Sequence, residues 1–363
     1  MSEDIFSQFF NLFNNEESGV NWELAKQINN HITKDEEILT LELSNKDLNF
    51  EQIFRVIELK SDDFLSYETA PKEIRLMTPK DYGLWFIDSI KHFDFENIES
   101  PELSMLGGIG GNNMKSSLLG MQFGNLAGLL GKFSWGLSQF GIILPKSNTL
   151  AINHKTFISK ITNFEANEND LSLAYFTVEY VALCLGKYSQ PFENIMNTIS
   201  KSSEDMMNKL KDLNLDMGPE TINNPQEMIS NISGVEGLDP NQIFESIAAP
   251  LSFYRSVIKQ KSKELNLLQD NSIFDLLMDL SFSNYESPTK DIETKISELD
   301  FYSDGFLNYL NDSQATFTLD DILGSTELIP TLDELHDPIF MGSPYIFTSY
   351  IIITVKVKSK RRK

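Results

Sequence analysis

A chain of 363 residues, 41% of them hydrophobic, can bury a large core and carries too much apolar side chain to be disordered as a whole. Its 53 acidic residues against 30 basic ones leave a net charge of −23. That excess excludes general binding of the body to nucleic acid or anionic lipid, because phosphate contacts need clustered Lys and Arg.

The N-terminal residues 1–18 read as a mobile arm. Ile5, Phe6, Phe9, Phe10 and Phe13 fall at helical spacing, so the arm presents an aromatic face to dock on the body or on a partner. An acidic start without a basic n-region is not a secretory leader, and a cytoplasmic location is expected. Helical patterns follow at 18–32, 49–59 and 79–93, the last with Pro79 at a first-turn position where its missing N–H is harmless.

The stretch 105–145 is rich in glycine. Gly107, Gly108, Gly110 and Gly111 suggest a loop, but with no strand before them and the wrong spacing they do not make a dinucleotide fingerprint. Beyond them Gly120, Gly124 and Gly128 recur every four residues on one helix face. Each lowers intrinsic helix stability by about 1 kcal/mol relative to Ala, and close backbone approach by another helix is the usual compensation. A core helix over 118–142, in contact with a second one over 170–186, is therefore expected. Polar residues within 117–145 argue for a buried protein helix over a membrane span.

Residues 154–164, 170–186 and 188–213 continue the helical pattern. The polar segment 211–228 reads as a loop and a possible subdivision of the body. Residues 238–268 form a long helix around Pro250, with further helices near 270–282, 289–299 and 300–312. Strand signals are sparse, so the fold class is mainly α with few or no strands. Residues 345–355, YIFTSYIIITV, are too short to span a membrane as a helix. They lead into a basic tail, 356–363, that can contact nucleic acid, lipid or the acidic body itself.

One acid, Glu179, stands in the middle of the apolar run LSLAYFTVEYVALCLG at 171–186. Its neighbours one turn away, Tyr175, Phe176, Ala182 and Leu183, are largely apolar, so burial raises its pKa unless it is paired. It serves either as a residual acid/base or as a structural carboxylate bonded to a helix end or to a cation such as Arg255. Cys184, the sole cysteine, lies between Leu183 and Leu185 and reads as a buried, inert thiol; no disulfide or cysteine-built zinc cluster can form.

Several segments, in order, resemble an actinobacterial-type family of zincin-like proteins. They are GVNWELAKQI at 19–28, the glycine-rich 120–145, the helix at 171–186 with Pro191–Phe192 behind it, and LIPTLDELHDPIF at 328–340. Family members are labelled hydrolases or zinc-dependent metalloproteases, some of them associated with biosynthesis of a deazaflavin coenzyme. The resemblance implies a multi-helix, metalloprotease-related domain over 19–342, with the tail from 343 outside it. It also implies H-E-x-x-H on the central helix, two histidines gripping Zn²⁺ and the Glu acting as general base. Here those five residues are Val178, Glu179, Tyr180, Val181 and Ala182. Only the acid remains, so no metal and no cofactor is expected. The four histidines, His31, His92, His154 and His336, show no i, i+4 pair. Three functions compete: a silent scaffold that binds an unknown protein partner, a hydrolase using Glu179 with metal held elsewhere or none, and a peripheral binder acting through the basic tail.

Overall fold

The computed structural model describes residues 19–34, 50–61, 73–93, 111–145, 147–162, 166–198, 241–280, 290–311 and 315–337. The N-terminal arm, Gly107 to Gly110, the 211–228 loop and the C-terminal segment 343–363 lie outside the described residues. Within them the fold is mainly α with one two-stranded sheet. A single hydrophobic cluster runs from Val20 to Leu335, and it includes Cys184.

Helix α1 (Trp22–Ile32) starts where the Asn21 side chain accepts from the Leu24 N–H at 3.0 Å. After α2 (Phe50–Ser61), strand β1 (Glu73–Met77) leads into α3 (Pro79–Ile90), capped by Thr78 with Pro79 in the first turn. Helix α4 (Gly111–Phe133) packs on α1 and α3. Strand β2 (Thr149–Asn153) then pairs with β1 in parallel, Glu73 opposite Thr149 through to Met77 opposite Asn153. A parallel pair needs a crossover, and α3 and α4 lie within it. Helices α5 (His154–Thr162) and α6 (Glu168–Leu185) follow, with a short helical run over 190–198. The second half holds α7 (Asn241–Glu264), α8 (Ser272–Met278), α9 (Lys290–Leu310), α10 (Leu319–Leu323) and α11 (Leu332–His336).

Helix α6 is apolar all round, the pattern of a helix enclosed on every side. Every residue from Ala174 through Leu185 is buried. Helices α7 and α8 pack on it, with smaller contributions from α2 and α5.

Three expectations are corrected. The glycine face of α4 meets α1, not chiefly α6. A Cβ on Gly120 would fall 2.3 Å from the Asn21 carbonyl oxygen, one on Gly124 2.6 Å from that of Ala25, and one on Gly128 2.8 Å from Ile32. Periodicity reveals a close approach but not which helix makes it. The helix also ends at Phe133 rather than near 142, where Asn153 caps it: Nδ2 donates to the Gly131 carbonyl in its last turn at 2.6 Å and to that of Ser134, just beyond it, at 2.9 Å. Lastly, residues 290–310 form one helix where two were read. No Gly or Pro breaks it near 300, and Ile292, Ile296, Ser303, Phe306 and Leu307 are buried along it. Pro250 sits inside α7 without ending it.

Candidate functional site

The chain between α4 and β2 turns sharply through residues 134–141 and makes one short 3₁₀ turn, Ser138–Phe140. Such a turn leaves backbone N–H groups at its start and carbonyls at its end without internal partners. A buried ionisable side chain meets each end.

Glu179 meets the start. Its side chain comes from the middle of α6 and is only 3% exposed. Oε1 accepts from the Ser138 N–H at 3.0 Å and from the Ser138 hydroxyl at 2.5 Å, and Oε2 accepts from the Leu137 N–H at 3.3 Å. Of the two kinds of partner open to this acid, the start of a helical turn is the one it engages. Gly136 makes room for it, since a Cβ there would fall 2.1 Å from Oε1. Burial pushes the carboxyl up to about 7, against the pull of the Ser138 hydroxyl and the two N–H groups.

Arg255 of α7 meets the other end. Nη1 donates to the Gln139 carbonyl, and Nη2 donates to the Met278 carbonyl at 2.6 Å and to Asp300 at 2.9 Å. Gly141 closes the turn at φ 72°, where a Cβ would meet the Leu251 carbonyl at 2.2 Å. So Arg255, offered by the sequence as a partner for Glu179, holds the same turn from its opposite side.

Aromatic residues wall the acid. The Tyr175 hydroxyl donates to the Trp135 carbonyl at 2.6 Å, and the Trp135 and Tyr175 rings meet edge to face at 5.3 Å. Tyr82 of α3 is fully buried. Desolvation, and then the charge of Glu179, push the hydroxyls of both Tyr82 and Tyr175 far up. Ser134 and Gln139 complete the turn, Ser134 donating to Gly136 at 2.5 Å and Gln139 accepting from the Trp135 N–H at 2.9 Å.

The two positions where the resemblance implies histidines are filled with core. Val178 is wholly buried and Ala182 is 2% exposed. Among the described residues no three His, Cys, Asp or Glu side chains converge to hold a metal ion. Burial pushes the Cys184 thiol up to about 12, which makes it a poor nucleophile. A cleft of about 170 Å³ does open, but beside Arg255, lined by Lys259, Asp275, Asp279 and Asp300, and away from Glu179. Sequence reasoning did not anticipate Ser138, Gly136 or Tyr82 as neighbours of Glu179. Ser138 and Gly136 stand over 40 positions from the acid in the chain, and no short motif joins them.

No protein-family model, no curated protein and no solved structure matches this chain. No helix among the described residues is long and apolar enough to cross a membrane.

Proposed function

We propose that this chain is a helical binding scaffold, a catalytically silent relative of the zincin-like proteins it resembles, in which Glu179 organises the core. The observation that carries this reading is the engagement of both carboxylate oxygens by the 137–138 turn, in a place closed by Gly136. A general base must reach the proton it abstracts. Here the reachable protons belong to the protein's own turn. Zinc needs about four N, O or S ligands, and the helix turn from Val178 to Ala182 supplies one carboxylate already in use.

A second reading, a hydrolase built on Glu179, draws support from the carboxyl's position near neutrality, the range suited to acid/base work. The two readings separate in one pair of measurements on the full chain. Titration with Zn²⁺ by calorimetry is expected to show no stoichiometric site. Chelator treatment is expected to leave Tm unchanged. Stoichiometric zinc, lost together with binding in Glu179→Gln, would overturn the scaffold reading and favour the hydrolase.

A further inference from the structure

We propose that the exposed aromatic face formed by α9 and α11 is the seat of the chain's own C-terminal segment, residues 345–355, with the basic residues 356–363 lying on the acidic surface around it.

The face is unusual for what it exposes. Phe301 is 81% exposed, Leu332 49% and Tyr302 40%. Phe301 meets Tyr302 edge to face at 5.7 Å, and the Tyr302 ring lies 4.1 Å from that of His336. Leu332 precedes His336 by one turn and so shares its side of α11. Gly305 follows Phe301 by one turn, is itself exposed, and has no atom within 4 Å of where a Cβ would stand. An aromatic knob with an open notch beside it can receive an apolar side chain. Single exposed apolar residues are ordinary, whereas a contiguous group marks an interaction surface.

Chain path and charge point to the occupant. His336, in ring contact with Tyr302, is followed by Asp337, where the described residues stop. Seven residues, 338–344, can span at most about 25 Å, and α9, with its 21 residues, is about 30 Å long. The segment after them, YIFTSYIIITV, therefore begins within reach of Phe301. It is aromatic and β-branched without a charge, a composition that aggregates when left uncovered. The tail after it carries Lys356, Lys358, Lys360, Arg361, Arg362 and Lys363. Acids frame the face: Glu298 lies one turn before Phe301 and Asp333 follows Leu332, both exposed, while Asp304, one turn after Phe301, is paired with Lys259 at 2.7 Å. The basic end thus meets the charge sign that attracts it, in a protein whose net charge is −23.

The test uses the full chain and chymotrypsin, whose target side chains Tyr345, Phe347 and Tyr350 lie inside the segment. Intact mass follows cleavage at those residues under native conditions. The wild-type segment is expected to be cut slowly. Phe301→Ser with Tyr302→Ser is expected to speed those cuts about fivefold, as the open population grows. Salt near 1 M, where screening acts within about 3 Å, is expected to speed them as well. Gly305→Leu, which fills the notch, gives an independent variant with the same expectation. Unchanged far-UV circular dichroism shows that each variant folds. Equal cleavage in wild type and both variants overturns the proposal. So does a concentration-dependent dimer that disappears in the variants, which would give the face to a second copy of the chain.

Discussion

Two parts of the core solve the problem of close approach in opposite ways. Where α4 crosses α1, Gly120 and Gly124 let backbones touch and Gly128 admits the Ile32 side chain. Where residues 134–141 turn between α6 and α7, two buried ionisable side chains hold the backbone, Glu179 at one end and Arg255 at the other. The glycine contact relies on shape and tolerates least volume where it meets backbone. The ionic contact relies on satisfied polarity and tolerates no missing partner. The first is thus open to disruption by larger side chains, the second by neutral ones and by pH.

Arg255→Met should show the largest effect. The change keeps the length of the apolar stem but abandons the Gln139 and Met278 carbonyls and takes the cation from Asp300, which keeps the Ser252 hydroxyl at 3.1 Å. Breaking a buried pair from one side costs about 3–5 kcal/mol. Because the Asp300 side chain is 24% exposed and can rehydrate, the lower end is expected. Urea unfolding of the full chain measures it. A loss below roughly 1 kcal/mol would mean that the turn does not depend on this end of the clamp.

Gly124→Leu probes the opposite region. Even a Cβ at this position would lie 2.6 Å from the Ala25 carbonyl oxygen and 2.8 Å from the Ile28 Cβ. Overpacking of this kind costs about 1–3 kcal/mol, and a backbone obstacle places it at the upper end. Tm and urea midpoint should fall together. A neutral outcome would show that α1 and α4 can separate without loss, and the contrast with the ionic turn would fail.

These two regions also differ in how far the sequence reveals them. The recurrence of Gly120, Gly124 and Gly128 announces a close helix contact, because glycine at helical spacing has few other uses. It does not name the partner, and α1 rather than α6 fills that role. The mainly helical class and the burial of Glu179 and Cys184 are equally legible, since an apolar run on every face of α6 can only be enclosed. The two-ended clamp is not legible. Glu179 lies 41 residues from Ser138, and Arg255 lies 116 from Gln139. Only the tertiary fold joins them, through backbone atoms that every residue possesses. The end of α4 at Phe133 is hidden for the same reason, as Asn153 reaches back to cap it.

Acid titration sharpens the comparison, because only the ionic region should respond. The folded-state pKa of Glu179 is raised to about 7 from an ordinary value of 4.5. The folded chain therefore binds this proton more tightly than the unfolded chain does. The stabilising contribution is fully present below about 4.5 and is lost as pH rises through about 7. A shift of this size corresponds to about 3 kcal/mol over that window. Glu179→Gln removes the titration, so its stability should fall less between about pH 5 and 7.5 than that of wild type. The variant also presents an amide N–H₂ to one of the backbone donors, which lowers its stability at every pH without adding a slope. Urea midpoints at a series of pH values separate the two effects. Parallel curves for wild type and variant would show that Glu179 stays charged throughout.

The smallest expected effect lies within the glycine contact itself. Gly→Ala on a helix gains roughly 1 kcal/mol of intrinsic propensity, so the sign of each substitution depends on what the new methyl meets. At Gly120 it would meet the Asn21 backbone, with the carbonyl oxygen at 2.3 Å and the carbonyl carbon at 3.1 Å. That backbone is fixed, since Asn21 caps α1 and its N–H donates to the Ser116 carbonyl at 2.9 Å. At Gly128 the atoms nearest the methyl would all belong to the Ile32 side chain, with Cβ and Cδ1 each at 2.8 Å. Ile32 lies in the last turn of α1 and is only partly buried; a rotamer change moves its Cδ1 but not its Cβ, so a small shift of that frayed last turn is what can relieve the contact. Gly120→Ala should therefore destabilise by about 1–2 kcal/mol, while Gly128→Ala should fall within about 1 kcal/mol of wild type, propensity offsetting the clash. Paired thermal melts give the difference directly. If Gly128→Ala proves the more damaging of the two, the contact is tightest at the end of α1 rather than at its cap, and the interface is held by the Ile32 side chain rather than by backbone approach.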